Sequence, residues 1–290
     1  MNNSPDGLIT QRSPQVIAVS SGKGGVGKTF ISVHLAARAA QQGKRVLLID
    51  ADLGMANVDI MLGLTAKGSI LQVIEGQAEI HDILVKGAER LDVLPGGSGL
   101  HELAHLSSSH QHILLSELDN LTRNYDLVLV DTGAGIGENV MFYASSSESV
   151  LIVLTPDPTS LTDAYALIKV LSTRHNTTRF MVAVNQADEV AAQVVFRRLL
   201  AVSDRYLDVI LDYVGNMPEC SSVRTAIQSQ KLLYACGSQK DINNLNKLAD
   251  SALSRPRPSS GGSGLQFSWQ STLAEGLHAN AMRADESISS

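Results

Sequence analysis

The stretch Gly22-Lys23-Gly24-Gly25-Val26-Gly27-Lys28-Thr29 decides the fold, because it fits G-x-x-x-x-G-K-[ST], the pattern of a loop that wraps nucleotide phosphates. The apolar run Val16–Val19 precedes it and is typical of a buried strand, and Ile31–Ala40 follows it as a predicted helix. In this setting the glycines let backbone N–H groups converge on phosphate oxygens at the positive end of the helix dipole. We expect Lys28 to reach the β- and γ-phosphates and the Thr29 hydroxyl to ligate Mg²⁺.

The same residues also fit a dinucleotide fingerprint, Gly22-x-Gly24-x-x-Gly27, with Asp50 where a ribose-binding acid would sit. Lys28 argues against that alternative, because a long cation at the start of a closely packed helix needs a phosphate to hold. A second element decides between them. The apolar run Leu127–Val130 ends in Asp131, the Walker-B pattern whose carboxylate supports Mg²⁺ beside the loop threonine. The predicted ligand is therefore a nucleoside triphosphate with Mg²⁺.

The length allows one large α/β domain or two small ones, and the cysteine content fits a reducing compartment. The chain has 290 residues, 44% of them hydrophobic, and a formal net charge of −6. This acidic balance argues against direct DNA binding. The two cysteines, Cys220 and Cys236, are too few for a disulfide scaffold and fit a cytosolic protein. Neither a secretory leader nor a membrane-spanning stretch is expected, so we predict a cytoplasmic location.

Short apolar runs alternate with helical patterns from Val16 to about Ser254. Most runs are apolar throughout, as expected when both faces of a parallel sheet are covered. The pattern predicts a doubly wound α/β fold, a mostly parallel sheet with helices on both faces. The predicted strands are Val16–Ser20, Arg45–Asp50, Leu91–Leu94, Asp126–Asp131, Val150–Thr155, Arg179–Asn185 and Val209–Gly215, with a helix at Leu161–Ser172 between two of them.

Composition divides the chain into three segments. Residues 1–14 are a polar arm, residues 15–254 the phosphate-binding domain, and residues 255–290 a linker and a weakly structured tail. In the tail, apolar residues spaced four apart allow a short amphipathic helix that would contact a membrane or a partner. A floppy tail with chance apolar residues is equally compatible, because no Lys or Arg lies between Leu265 and Arg283.

A third element carries a resemblance to a known superfamily. Lys23, a second lysine inside the loop, and the segment Asp50-Ala-Asp52-Leu-Gly-x-x-Asn57 resemble the deviant Walker-A ATPases of the MinD/ParA superfamily. The resemblance implies that Lys23 crosses a dimer interface to the partner's phosphates and that Asn57 assists from across it. It also implies that Asp52 positions the attacking water and that Asp50 belongs to the Mg²⁺ shell. A loop lysine that its own phosphates do not need can act in trans as an arginine finger does.

Residues 51–63, 157–169 and 204–215 resemble flagellar-number regulators of the FleN/FlhG type, and the likeness extends over roughly residues 15–249. It implies an ATP-dependent homodimer that hydrolyses ATP slowly with Mg²⁺. It further implies that the dimer restrains a flagellar master transcription regulator and works opposite an FlhF-type GTPase. A peripheral position at the inner membrane face or the cell pole accompanies this expectation.

The resemblance also places the adenine base. It implies contacts from Asn185 and from the loop formed by Met217, Pro218 and Glu219. Phe30 stands where relatives carry a small polar residue near the α-phosphate. Because the backbone N–H at that position remains, we expect altered nucleotide affinity rather than lost binding.

Three other functions stay as alternatives. A MinD-type ATPase would oscillate on membranes and place the division site, and a ParA-type ATPase would bind DNA and move cargo. His101-Glu102-Leu-Ala-His105 matches the zinc-protease pattern H-E-x-x-H, with His110 and His112 close by. We interpret these histidines as surface residues, because they follow a glycine-rich stretch in a domain already assigned to phosphate binding.

Overall fold

The fold is built on an eight-stranded sheet, and this computed structural model describes residues 13–52, 57–68, 70–96 and 108–255. The strands lie side by side in the order β3-β4-β2-β5-β1-β6-β7-β8. Every neighbouring pair is parallel except β3 and β4. Their bounds are β1 Gln15–Ser21, β2 Val46–Ala51, β3 Val85–Ala88, β4 Leu91–Leu94, β5 Leu127–Ala134, β6 Ser149–Leu154, β7 Arg179–Asn185 and β8 Ile210–Met217.

Helices connect the strands. None of those in the described part of the chain has both the length and the apolar character needed to cross a bilayer. Most of the predicted N-terminal arm and nearly all of the predicted tail lie outside the described residues. The helices are α1 Lys28–Gln41, α2 Val58–Leu62, α3 Ile70–Ile74, α4 Ser108–Thr122, α5 Glu138–Ser145, α6 Pro158–His175, α7 Glu189–Tyr206, α8 Ser221–Gln228, α9 Leu233–Cys236 and α10 Gln239–Leu253.

Alternate residues of the central strand β1 face two different helical layers. Ile17 and Val19 pack in one core cluster with α1 and α10. Val16 and Ala18 point the other way, into clusters that include residues of α3 to α7. All seven residues of β1 are buried, which explains the continuous apolar run from Val16 to Val19. The predicted doubly wound α/β fold is confirmed.

The sequence analysis missed one strand, β3. It pairs antiparallel with β4 at the edge of the sheet and has only four residues, Val85–Ala88. Its sequence, VKGA, holds one buried residue, and Lys86 is 81% exposed beside Asp92. So short a run with a lysine and a glycine lacks the apolar pattern that marked the other strands. Charged, short edge strands of this kind resist pairing with other chains.

The opposite edge strand, β8, begins and ends later than the predicted 209–215. Its burial alternates irregularly, because only β7 pairs with it and α10 packs on one face. One backbone acceptor of β8 is already used, because the guanidinium of Arg255 donates a hydrogen bond to the carbonyl oxygen of Tyr213 at 2.9 Å. The same guanidinium lies 3.5 Å from the carboxylate of Asp212.

Helix α6 is longer than the predicted 161–172 because its first turn is capped. The Asp157 carboxylate accepts a hydrogen bond from the backbone N–H of Thr159 at 2.9 Å, and Pro158 occupies the first helical position. The helix ends at His175, and the cap residue Asn176 after it has a left-handed φ of 54°. Apolar periodicity alone does not detect a polar first turn, so the prediction began too late.

The connection between β1 and α1 lies where the strand order reverses, so that later strands are added on the other side of β1. From β1, the sheet continues through β5 and β2 on one side and through β6 and β7 on the other. In open parallel sheets the crevice at such a switch point, beyond the carboxyl ends of the strands, is the usual ligand site. The loop is tightly placed, because a Cβ on Gly22 would lie 2.1 Å from the backbone of Asp163 in α6.

A buried histidine joins α1 to α9. His34 is 1% exposed, and its Nε2 accepts from the backbone N–H of Leu233 at 2.9 Å. Since that N–H can only donate, Nδ1 carries the proton and donates to the Phe30 carbonyl oxygen at 2.7 Å. Burial lowers the pKa of His34 from 6.5 to about 4. The neutral ring is therefore the form that the fold accepts.

Replacing His34 by glutamine tests this buried neutral ring. The unfolded chain takes up a proton near pH 6.5 that the folded chain takes up only near pH 4. The free energy of unfolding should therefore be highest above pH 6.5 and fall as the pH drops from 6.5 toward 4, by at most about 3 kcal/mol from this residue. His34→Gln should flatten that decline in urea titrations at several pH values, while His81→Gln, at an exposed position, should not. Equal slopes for wild type and His34→Gln would contradict the assignment.

Candidate functional site

The phosphate loop brings a buried lysine against two aspartates. Lys28, the first residue of α1, is 6% exposed. Its Nζ lies 3.0 Å from Oδ1 of Asp131 and 3.8 Å from Oδ2 of Asp52. Thr29 donates from Oγ1 to Oδ2 of Asp131 at 2.7 Å. Four predicted site residues, which come from the start of α1, from the position after β2 and from β5, therefore meet at one point.

Ser32 belongs to the same cluster and was not predicted. Its hydroxyl contacts Oδ1 of Asp131 at 2.8 Å and the carbonyl oxygen of Lys28 at 3.1 Å, and its side chain is fully buried. The sequence could have indicated Ser32, because it lies four residues after Lys28, about one helical turn, and so shares a face of α1 with it. Asp131 is thereby satisfied by one ammonium and two hydroxyl groups.

Asp50 organises the backbone that follows β2. It is fully buried and lies opposite Asp131 in the register of β2 and β5. Its carboxylate accepts from the backbone N–H groups of Asp52 at 3.1 Å, Asn57 at 3.0 Å and Val58 at 3.1 Å. Burial, and then the charge of Asp131, raise the pKa of Asp50 to about 7. Membership of the Mg²⁺ shell remains a prediction for this residue.

Asp52 follows β2 directly, and Asn57 directly precedes α2. Asp52 has 21% of its side chain exposed, and a Cβ on Gly133 would lie 3.7 Å from its Oδ1. Asp52 is thus the accessible carboxylate of the group, between Lys28 and the residues after Asp131. Asn57 is the N-cap residue of α2, but its side-chain amide makes no capping hydrogen bond to the helix.

Lys23 points away from its own phosphate loop. Its Nζ donates to Oδ2 of Asp157 at 2.6 Å and to Oγ1 of Thr159 at 2.6 Å, at the start of α6. The ion pair is partly exposed, 39% for Lys23 and 43% for Asp157. The hydrogen bond from Lys23, followed by that from the Thr159 backbone, lowers the pKa of Asp157 to about 2. Two loop lysines therefore have different surroundings, one buried among aspartates and one at the surface.

A cavity of about 320 Å³ adjoins the phosphate loop where the adenine was predicted. It includes Phe30, Asn185, Pro218 and Glu219, while Met217 is buried in the core below. Helix α8 forms a wall that the sequence analysis did not include. The sequence could have indicated this wall, because the amphipathic α8 comes directly after the loop that was predicted to contact the adenine. The remaining lining residues are Gly25, Gly27, Gln186, Cys220, Val223, Arg224, Ile227 and Gln228.

The alternative zinc site of the H-E-x-x-H pattern lies largely outside the described residues. The pair His101 and His105 lies outside them, and His110 and His112 fall within α4. Within the described part of the chain, no group of His, Cys, Asp and Glu residues is arranged to hold a metal ion. Cys220 and Cys236 are both free thiols.

Comparisons with known proteins agree with this site. An AAA-domain family model matches residues 14–184. The chain is 47% identical to the antiactivator FleN of Pseudomonas aeruginosa over 221 residues, which is 76% of this chain and 79% of that protein. It is 34% identical to the flagellum site-determining protein YlxH of Helicobacter pylori over 218 residues, 75% and 74% of the two chains.

A solved chain of the MinC:MinD cell division complex of Aquifex aeolicus is 28% identical, with a TM-score of 0.66, and the match covers 86% of this chain and all of that one. Septum site-determining MinD of Bacillus subtilis is 31% identical over 164 residues, 56% and 61% of the two chains. The 47% identity to FleN is higher than the identity of either MinD match. The chain therefore belongs to the FleN/FlhG-type flagellar number regulators of the MinD/ParA superfamily, a family of P-loop proteins that bind and hydrolyse ATP.

Proposed function

We propose that this protein is a switch in which ATP binding joins two copies, and that the dimer restrains a flagellar master transcription regulator and works opposite an FlhF-type GTPase. The observation that carries the proposal is the cluster beside the phosphate loop, in which Lys28 and Thr29 contact Asp131 and Asp52 lies 3.8 Å from the ammonium group of Lys28. Catalysis of phosphoryl transfer depends mainly on positioning and charge, which such a cluster supplies.

The oxygen groups of the cluster fit Mg²⁺. Thr29 and Asp131 offer a hydroxyl and a carboxylate oxygen 2.7 Å apart, the hard donors that Mg²⁺ accepts while keeping several waters. These two residues would hold the ion, with Asp50 directly behind them. When bound, Mg²⁺ would neutralise charge on the phosphates.

The protein's own groups divide the remaining work. When nucleotide binds, the ammonium group of Lys28 would leave Asp131 and Asp52 and contact the β- and γ-phosphates. The backbone N–H groups of the loop would bind the remaining phosphate oxygens. Asp52, the more exposed carboxylate, would orient the attacking water in line with the γ-phosphate. Lys23 would act on the partner's phosphates, which its position away from its own loop supports.

Asp52→Ala tests the role in hydrolysis. We expect kcat to fall by about 10²- to 10⁴-fold, because a positioned group that handles the water is lost. ATP binding and the ATP-dependent dimer should persist, as measured by calorimetry and by sedimentation. Asp208→Ala, at an exposed position, is the matched control. Normal turnover by Asp52→Ala would refute the proposed role.

The same variant tests the partners, because it should hold the ATP-bound dimer. We expect purified Asp52→Ala to bind the purified master regulator in ATP and to release it in ADP. A second candidate, a MinD-type positioning ATPase, is favoured by the likeness to the Aquifex structure. ATP-dependent sedimentation with liposomes, without binding to the regulator, would support that candidate instead.

A further inference from the structure

Asn185 reaches the phosphate loop from a distant strand. It is the last residue of β7, which is separated from β1 by β6. The side chain is 7% exposed, and its Nδ2 donates to the carbonyl oxygen of Val26 at 2.8 Å. Because a carbonyl oxygen can only accept, the amide nitrogen and not the amide oxygen must face the loop. One amide donor of Asn185 is therefore already used by the protein.

This hydrogen bond orients a peptide group inside the phosphate loop. In a trans peptide the C=O of Val26 and the N–H of Gly27 point in opposite directions. Anchoring the carbonyl on Asn185 therefore turns the N–H of Gly27 away from β7. Gly27 has a φ of 86° and ends the loop just before α1. Inward-pointing N–H groups at that position are what a phosphate-binding loop requires.

The close approach depends on the absence of a side chain at Gly27. A Cβ there would lie 2.2 Å from Nδ2 of Asn185, well inside any allowed contact. Glycine is thus needed both for the left-handed φ and for the space that the amide occupies. No other described contact of comparable length ties β7 to the loop.

We propose that Asn185 is a positioning residue for the phosphate loop, one that sets the Val26–Gly27 peptide so that its N–H is presented to nucleotide phosphates, and not primarily a reader of the adenine edge. The proposal rests on nucleotide binding at the site described above and is independent of dimerisation and of flagellar partners.

Tripolyphosphate, a ligand without base or sugar, separates the two roles. For Asn185→Ala we expect the dissociation constants of ATP and of tripolyphosphate to rise by the same factor, about 3- to 10-fold, as for one lost hydrogen bond. Pro218→Ala, which alters the base cavity, should weaken ATP and leave tripolyphosphate unchanged. Leu199→Ala, a core variant in α7, should leave both affinities unchanged and controls for lost stability.

A second readout is the Gly27 amide itself. In ¹⁵N-glycine-labelled protein, its resonance should shift in Asn185→Ala and not in Pro218→Ala. If Asn185→Ala fails to fold, Asn185→Ser, which keeps a hydroxyl but cannot reach Val26, should give the same equal loss. Weaker ATP binding with unchanged tripolyphosphate binding would make Asn185 a base reader and overturn the proposal. Unchanged binding of both ligands would overturn it too. A wild type that bound neither would instead refute the nucleotide site.

Discussion

Replacing Lys23 by alanine is expected to lower kcat for ATP by about 10³-fold or more, the range in which a cation supplied in trans acts on phosphoryl transfer. The dissociation constant of ATP for the monomer should change little, because Nζ of Lys23 lies on Asp157 and Thr159 and not in its own loop. Single-turnover assays and monomer calorimetry measure the two quantities separately. Sedimentation with ATP should show less dimer.

The control for Lys23 is its present partner. Asp157→Asn keeps a residue that caps α6 but weakens the ion pair with Lys23. A partly exposed ion pair contributes little to stability, so breaking the contact of Lys23 with Asp157 should hardly change the free energy of unfolding. The kcat of this variant should stay within a few-fold of wild type. Full activity of Lys23→Ala would show that the residue is an ordinary surface lysine.

Replacing Lys28 by methionine should have the second large effect, on stability as well as on ATP binding. Its Nζ lies beside the fully buried Asp131, and Asp50 is buried next to that carboxylate. Removing the cation from such a pair leaves an uncompensated buried charge, which costs about 3–5 kcal/mol. We expect a lower urea midpoint in the nucleotide-free protein, and no detectable ATP binding by calorimetry.

A double-mutant cycle distinguishes the two consequences of losing Lys28. Lys28→Met combined with Asp131→Asn should recover much of the lost stability, because the buried charge is gone, but should not recover ATP binding. Lys169→Met, at an exposed position of α6, is the control and should leave both properties unchanged. If Lys28→Met alone were as stable as wild type, the charge cluster would not stabilise the fold.

The parts of the site that the sequence predicted are those set by local pattern. Glycine spacing marks a loop, an apolar run marks a strand, and a polar residue at the end of that run marks the site edge, so Lys28, Thr29 and Asp131 were found together. The strand β3 escaped because four residues with a lysine carry no apolar pattern.

Other features needed the folded chain because they join residues far apart in sequence. The ion pair between Lys23 and Asp157 spans 134 positions, and the contact between Asn185 and Val26 spans 159. Helix α8 lines the cavity because it follows β8, which brings the chain back to the phosphate loop. Sequence reasoning placed Asn185 at the nucleotide site through resemblance, but only the packing shows which of its atoms faces the loop.

The two borders of the sheet limit how copies of this protein can meet. One border is a four-residue strand with a projecting lysine, and at the other Arg255 occupies a main-chain oxygen of Tyr213. A short charged edge strand and an engaged main-chain acceptor both hinder continuous strand addition. Any ordered association between copies is therefore expected to use side-chain surfaces rather than strand-to-strand pairing.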